Sequence, residues 1–560
     1  MKETIRIYCL NTASHIETAG GETLGELASR LRDLLGFEPI CARVNNKSED
    51  LSYAIFSPKQ VEFVKKDSPL GRRVYTRSLC MMLYRAASLE IEGCTLKIEH
   101  SISRGHFCRL SCAETGLIEI TPELLERLSA RLEEMHREDF PFVRHRRLTS
   151  EVKALFRREG LDNKVALLET ANDLYSTYYT LLDTADSYYG PLAPSTRFIS
   201  TFALHPYHDG FLLMGPDPED PAKPITPRPQ EKLYKAFTDY LNFNRIIRVS
   251  TVSELNKAVT AKKTAQLINV AEAMHDKFLG RISDEIAARN KDGAARIVLL
   301  AGPSSSGKTT TSKRLAIQLM TNLLVPRLIS LDDYFVNREN TPRDADGDYD
   351  FEHLHALDLD RLNSDLRRLL SGETINLPTY SFELGRRVEK ERPLTLGPRD
   401  VLVIEGIHGL NPELTPALKT DDLFKIYVSA LTTLTIDDHN WISTNDNRLL
   451  RRVVRDHRYR HTSAFETIRR WPSVQRGEER WIFPFQENAD ALFNSSLIFE
   501  IGVMKPYAEP LLRSVPHNVV QYAEAYRLLK LLSYFLPIEA EQIPTTSLLR
   551  EFLGGSSFHY

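Results

Sequence analysis

The chain has 560 residues, 42% of them hydrophobic and 26% charged, with a formal net charge of −3. That length exceeds what one hydrophobic core supports and predicts three or four domains, and the near-neutral charge argues against a global nucleic-acid-binding surface while leaving room for a local basic patch. No apolar run approaches the ~18 residues of a membrane span, residues 1–7 have no signal-peptide core, and all six cysteines lie in the first 112 residues without a disulfide-like spacing, so a reduced cytoplasmic protein is expected.

Residues 1–60 read as a small α+β unit. Residues 5–10 alternate like a strand, and residues 23–31 are helix-like, with leucines at 24, 27 and 31 and Thr23 as N-cap. Residues 61–240 carry helical patterns at 121–137 and 147–159, then a Pro-rich irregular zone at 215–229. The basic run 144–147 (R-H-R-R) reads as a solvated loop, with phosphate contact as its alternative. His100, His106, Cys108 and Cys112 fall within thirteen residues but lack a zinc-ribbon spacing; core thiols and surface histidines are the default. His205 and His208 are a weaker pair of the same kind. Residues 241–292 look like a helical connector, with apolar positions at 252, 255, 258 and 259 and again at 267, 268, 271 and 274.

From residue 293 short apolar runs at 297–301, 326–331, 401–405, 424–429 and 496–501 alternate with helices, which predicts parallel βαβ units. The first run leads into G-P-S-S-S-G-K-T at 302–309, followed by an amphipathic helix. A strand, a glycine-flanked loop and a helix start are the context of a P-loop. The backbone N–H groups of Gly302, Pro303's successors Ser304, Ser305 and Ser306, then Gly307, Lys308, Thr309 and Thr310 would face a phosphate at a helix N-terminus. Lys308 would reach the β- and γ-phosphates, and the Thr309 hydroxyl would hold Mg²⁺. The expected ligands are ATP and Mg²⁺.

Two further strand ends carry acids. Residues 401–406, V-L-V-I-E-G, place Glu405 beside Thr309 as a second Mg²⁺ contact; its plain alternative is a strand-end carboxylate facing solvent. Residues 329–335, I-S-L-D-D-Y-F, place Asp332 at the carboxyl end of a strand, where ligands bind in open α/β sheets, so Asp332 could take a proton from a hydroxyl. For the neighbouring Asp333 a turn or capping role is the default. The tail, 511–560, includes a helical stretch at 519–536.

The ordered set G-P-S-S-S-G-K-T, S-L-D-D-Y-F, D-Y-D-F-E-H, L-P-T-Y-S-F, V-I-E-G-I-H and R-R-V-V-R-D resembles the uridine kinase and phosphoribulokinase family, over residues 296–505. The resemblance implies Asp332 as general base, Asp350 on ribose hydroxyls, Tyr380 lining a base pocket, and Arg452 and Arg455 reaching ribose and phosphates. It also implies a lid whose arginine at Arg460 stabilises the transferring group. Where uridine-type kinases have a pyrimidine-reading histidine, five residues after that tyrosine, this chain has Gly385, then Arg386 and Arg387. Looser base selectivity is therefore expected. The arginine pair reads as a solvated hairpin tip, with contact to a phosphate or acidic substrate as the alternative. The second lid arginine of the family falls on Thr462, with Arg458 and His461 nearby.

Residues 1–60 are similar to a TGS domain, a ubiquitin-like module, and residues from about 65 to 170 resemble the second additional domain of threonyl-tRNA synthetase, best over 128–168. That domain edits mischarged tRNA with an H-x-x-x-H pair on a helix; here Met82 and Ala86 take those positions, so loss of editing is expected, with an RNA- or ligand-binding surface retained.

The expected fold is a multidomain α/β chain. A P-loop kinase domain with a parallel sheet (293–510) follows a small ubiquitin-like α+β domain (1–60), an α+β synthetase-editing-like domain (61–240) and the connector (241–292), and precedes a helical tail (511–560). The leading expectation is a nucleoside kinase that phosphorylates a 5′-hydroxyl. The alternatives are a kinase of another sugar or small hydroxyl compound, or an RNA-binding regulator with a nucleotide-controlled P-loop. Expected partners are a small hydroxyl substrate, an RNA contact for the N-terminal half and a second copy in a homo-oligomer, with no membrane.

Overall fold

The computed structural model describes residues 4–113, 115–171, 173–291, 294–344 and 347–559. The first unit is a five-stranded sheet whose strands run, in spatial order, Ser14–Ala19, Thr4–Cys9, Gln60–Val64, Cys41–Val44 and Lys47–Glu49. The helix Leu24–Arg30 packs Leu24 and Leu27 onto it. Thr23 caps that helix: its hydroxyl accepts from the Glu26 N–H at 3.2 Å while Glu26 accepts from the Thr23 N–H at 2.8 Å. The strand at 60–64 is the central one, paired with Thr4–Cys9 on one side and Cys41–Val44 on the other, so this unit extends to residue 64.

The second unit packs the long helix α1 (Pro69–Glu90) against two antiparallel sheets, one of which contains β1 (Phe142–Leu148). Met82 and Ala86 are fully buried in the core under α1. The basic run 144–147 lies in β1, not in a loop, because β1 pairs antiparallel with Tyr175–Leu181 along its whole length, and the helix begins only at Thr149. His100 is buried, not on the surface, with its ring stacked 3.8 Å from that of Phe237.

The connector is helical: Glu231–Ile246, Val252–Thr260, then α2 (Thr264–Lys291). The third unit is a five-stranded parallel sheet. In chain order its main elements are β2 (Ile297–Ala301), α3 (Lys308–Thr321), β3 (Val325–Ser330), β4 (Asp400–Glu405), β5 (Leu423–Ser429), α4 (Thr444–Arg460), α5 (Ala464–Trp481) and β6 (Ala491–Asn494). The spatial order is β3–β4–β2–β5–β6, and every pairing is parallel. β2, β4 and β5 are apolar nearly throughout because helices cover both faces.

The run 496–501 is not a strand. The last strand is β6, and α6 (Glu500–Arg513) starts just after it. Glu500 accepts from the Leu497 N–H at 2.9 Å and turns the chain, and Ile501, Met504, Ala508 and Leu512 fall on one buried helical face. The apolar run therefore spans a strand-to-helix turn. The tail helix α7 (Tyr522–Ser533), the connector and one face of the parallel sheet share a single hydrophobic core. Among the described residues no helix is long and apolar enough to cross a membrane.

Candidate active site

The P-loop joins β2 to α3. Its backbone passes so close to β5 that a Cβ at Gly302 would lie 2.0 Å from the Val428 carbonyl oxygen, which leaves no room for a side chain. The loop is held from beneath by α4. Arg448 and Arg451 are fully buried; Arg448 donates to the Ser304 carbonyl at 3.1 Å and Arg451 to the Ser305 carbonyl at 3.4 Å. Their charges are balanced by Glu478 at 2.5 Å and Glu500 at 2.6 Å. Glu478 also accepts the Ser304 N–H at 2.9 Å, and the Ser306 carbonyl accepts from Ser495 at 2.5 Å. Charge-assisted bonds of this kind fix loop geometry before any ligand arrives. Lys308 lies along its own loop, with Nζ 3.1 Å from the Pro303 carbonyl oxygen.

The carboxyl ends of β3 and β4 converge on this loop. The Thr309 hydroxyl donates to Glu405 Oε1 at 3.1 Å, and Ser330 donates to the same oxygen at 3.3 Å. Burial first, then the like charges of Asp332 and Glu551, push the Glu405 carboxyl up to about 7. Asp332 sits in the short turn Leu331–Tyr334 after β3, where its N–H bonds the Ser330 hydroxyl at 3.3 Å. It reaches solvent through the crevice mouth. The atoms packed around it nevertheless raise its carboxyl above the ordinary range, against the pull of Lys308, Arg460 and Arg455, with Asp333 adding to the rise. Asp333 is occupied structurally: it pairs with Arg392 at 2.8 Å and accepts the Tyr380 N–H at 3.4 Å.

The other sequence-derived positions are distributed around the crevice. Arg452 donates to the Ser304 hydroxyl at 2.8 Å and pairs with Asp456 at 3.3 Å. Asp456 also holds Arg455 at 2.8 Å and Arg460 at 3.6 Å, so one carboxylate gathers three of the arginines of α4. Arg460 is the most exposed of the three, its side chain being 57% accessible. Asp350 is in an irregular segment, where its carboxylate accepts the Glu352 N–H at 3.1 Å. Tyr380 is buried among Phe335 (5.6 Å between centroids) and Phe382 (5.1 Å), and its buried hydroxyl has no hydrogen-bond partner among the described residues.

The vacancy at Gly385 is filled, but not by its neighbours. Gly385 has φ of +65°, and a Cβ there would meet the Arg338 guanidinium at 2.7 Å. Arg338 donates to the Phe382 carbonyl at 2.6 Å and lies across the glycine. Arg387 is committed elsewhere, to Asp358 at 2.9 Å and the Tyr334 carbonyl at 3.2 Å, so it is neither a free hairpin tip nor a substrate contact in this arrangement; Arg386 is exposed.

Sequence reasoning missed several participants. Arg448 and Arg451 were readable from the spacing 448, 451, 452, 455 on one helix face. Glu352, inside the D-Y-D-F-E-H motif, has its carboxyl pushed up to about 7 by burial and by Glu478, and it faces Lys308, Arg452 and Asp332. Arg338 and Glu551 carry no local signal. Among the described residues no group of three or more His, Cys, Asp and Glu converges on a metal position. Thr309 and Glu405 nonetheless suit Mg²⁺, which typically takes one or two protein oxygens and completes its shell with water and phosphate.

Residues 297–498 match the sequence profile of the Phosphoribulokinase / Uridine kinase family. The same third of the chain is 28% identical over 195 residues to a uridine kinase of Halobacterium salinarum (34% of this chain, 77% of that protein). It is 29% identical over 198 residues to a uridine kinase of Macrococcus caseolyticus (35% and 86%). The solved structure of a possible uridine kinase from Bacillus stearothermophilus is 22% identical, over 35% of this chain and 87% of that one, with a TM-score of 0.24. The segment 297–498 is thus a domain of the uridine kinase/phosphoribulokinase family, and the chain carries a kinase-family, nucleotide-binding unit.

Proposed function

We propose that this protein is an ATP-dependent phosphotransferase that moves the γ-phosphoryl group to the 5′-hydroxyl of a nucleoside. The observation that carries the reading is the placement of Asp332. It stands at a strand end, close enough to Lys308, Arg455 and Arg460 for their charges to act on its carboxyl. A nucleotide switch has no use for a base at that point. A kinase does, because the base must face both the phosphate loop and the acceptor.

Each residue then has a task. Backbone N–H groups of the loop, those of Ser305, Gly307, Lys308 and Thr309 among them, cradle the phosphates, with Lys308 moving off the Pro303 carbonyl to the β- and γ-oxygens. Asp332, its carboxyl raised above the ordinary range, takes the hydroxyl proton as the new O–P bond forms and the bond from the γ-phosphorus to the departing ADP oxygen breaks. Arg460, with Arg452 and Arg455 behind it, meets the charge that develops on the transferring group. Held by Thr309 and Glu405, Mg²⁺ would supply positive charge to the phosphates, and the like-charge crowding that raises Glu405 is the environment a divalent cation relieves. Asp350 and the aromatic wall of Tyr380, Phe335 and Phe382 form the acceptor side.

A second reading keeps the chemistry and changes the acceptor to an acidic or phosphorylated sugar. It is favoured by Arg338, a cation lying where a base-reading side chain is expected. The test is substrate-dependent ADP release over a panel of nucleosides, sugars and sugar phosphates, with the Asp332→Asn chain as control. Release stimulated by no hydroxyl compound, or equally stimulated in Asp332→Asn, would refute phosphoryl transfer by this site. For the N-terminal half, a binding role without editing chemistry follows from the sequence resemblance and from the apolar side chains at positions 82 and 86.

A further inference from the structure

Where the first unit, the second unit and α7 meet, a crevice of about 110 Å³ is lined by five arginine and lysine side chains against two carboxylates, Glu49 and Asp50. Three of the cations are neutralised. Arg144 pairs with Glu49 at 3.2 Å and Asp50 at 3.6 Å, Arg73 with Glu524 at 3.1 Å, and Arg527 with Asp446 at 2.6 Å. Two are not. Arg77 is only 5% exposed, and among the described residues its guanidinium has one hydrogen-bond acceptor, the Pro191 carbonyl, at 3.0 and 3.2 Å, with the Tyr189 ring 5.8 Å away. Among the described residues neither Arg77 nor Lys530 has a carboxylate within ion-pair distance, and Lys530 Nζ makes no hydrogen bond. Arg73, which lines the same space, has a buried Nε without an acceptor among the described residues.

Unpaired positive charge withdrawn from water is expensive, and a protein keeps it where a counter-charge is supplied from outside. Arg77 reports that cost: burial lowers its guanidinium to about 10. Lys530 is exposed at the rim of the crevice, where the protein packed around it and repulsion from Arg77 and Arg144 lower its ammonium to about 8. The space holds several water-sized groups, enough for one phosphate. The exposed ring of Tyr526 borders it and offers an apolar face to the rest of a ligand.

We propose that this crevice is a binding site for the phosphate group of a small molecule, seated between Arg77 and Lys530 with Arg73 and Arg144 at its sides. The ligand class is inorganic phosphate, pyrophosphate or a small phosphate ester. The site is separate from the P-loop, and it does not depend on the kinase reading. Its place in the fold is notable: Arg527 ties the α7 wall of the crevice to Asp446 in the first turn of α4, the helix whose arginines hold the phosphate loop.

The test is calorimetric titration of the full-length chain with inorganic pyrophosphate. Two saturable sites are expected, one abolished by Lys308→Ala and the other weakened about tenfold or more by Lys530→Met and recovered by Lys530→Arg, the usual scale for losing a charged hydrogen bond. Lys530 is on the surface, so its replacement leaves folding intact, which circular dichroism checks. Sodium phosphate and a sugar phosphate in separate titrations distinguish the free anion from an ester. If all binding disappears in Lys308→Ala, or if Lys530→Met changes nothing, the proposal fails. It also fails if Lys530 governs the binding of a short single-stranded RNA but not of pyrophosphate.

Discussion

The Glu551 carboxylate accepts hydrogen bonds from both the backbone N–H (3.2 Å) and the hydroxyl (2.6 Å) of Thr310, in the first turn of the helix that the P-loop opens. Those are donors that an anion at a helix N-terminus uses. Leu548, three residues before Glu551, packs directly over Gly307, and the Phe552 ring lies 5.1 Å from the buried Arg451 guanidinium. The tail is therefore anchored on the phosphate loop, with a negative charge turned toward it.

Replacing that charge should ease nucleotide binding. Glu551→Gln keeps the shape and an acceptor for Thr310 but removes the repulsion of phosphate. The ATP dissociation constant should fall roughly fivefold, the ~1 kcal/mol scale of a charge at a helix terminus. Fluorescence titration with a labelled nucleotide measures it. Weaker binding in Glu551→Gln would mean that the contact supports the loop instead of competing with the ligand.

Lys308 and Asp332 should separate in their effects. Lys308→Ala is expected to weaken nucleotide binding and turnover together. Asp332→Asn should leave ATP affinity nearly unchanged and cut turnover by a factor on the order of 10² or more, the scale of general-base catalysis. Near-normal turnover in Asp332→Asn, with a substrate found in the acceptor screen, would remove Asp332 from its assigned role.

Arg338 should govern acceptor choice. Arg338→Ala is expected to raise KM for an acidic or phosphorylated acceptor about tenfold or more with little change in kcat, and to narrow the difference between such an acceptor and a neutral nucleoside. Gly385→Ala should act the same way, because its Cβ would meet the guanidinium at 2.7 Å in a backbone conformation (φ +65°) that alanine resists. Acceptor ratios unaltered in both variants would place Arg338 outside the acceptor pocket.

Glu352 should make the unliganded protein less stable as pH rises. Its folded-state carboxyl is pushed up to about 7, above the ordinary 4.5. Between those values the folded chain binds more protons than the unfolded one, so this group's contribution falls as pH increases from about 4.5 and levels off above about 7. Glu352→Gln should flatten that part of the profile and raise the melting temperature at pH 8 relative to the parent chain. Parallel pH profiles in melting scans would show that Glu352 ionises normally.

Lys164 should couple the second unit to the kinase-family unit. Its fully buried ammonium sits 2.7 Å from Asp186 and 2.9 Å from Asp437, one acid from each side of the junction. Lys164→Ala strands two buried carboxylates and should cost ~3–5 kcal/mol in denaturant unfolding. A loss under 1 kcal/mol would show that water or a rearranged side chain replaces the ammonium.

The sequence by itself determined what depends on short-range pattern. The run from β2 through the P-loop to α3 was legible because an apolar strand, a glycine-bounded loop and a helical period follow one another without interruption. Glu405 and Asp332 were legible because parallel strands deliver their last residues to one edge. Thr23 announced its helix as the N-cap, and Glu26 completes the cap in the folded chain. The tertiary structure decided what depends on distant segments. Residues 497–499 are apolar enough for a strand, but Glu500 and the core face of α6 turn them into a corner. Basic residues at 144–147 resemble a loop until the pairing with 175–181 makes them a strand. Nothing local says that Arg338 lies across Gly385, that Lys530 and Arg77 share a crevice, or that Glu551, some 240 residues beyond the P-loop, rests on Thr310. Those contacts join surfaces brought together only by packing the tail and connector into one core, and their energies come from charge and burial in that assembled state, which no sequence window contains.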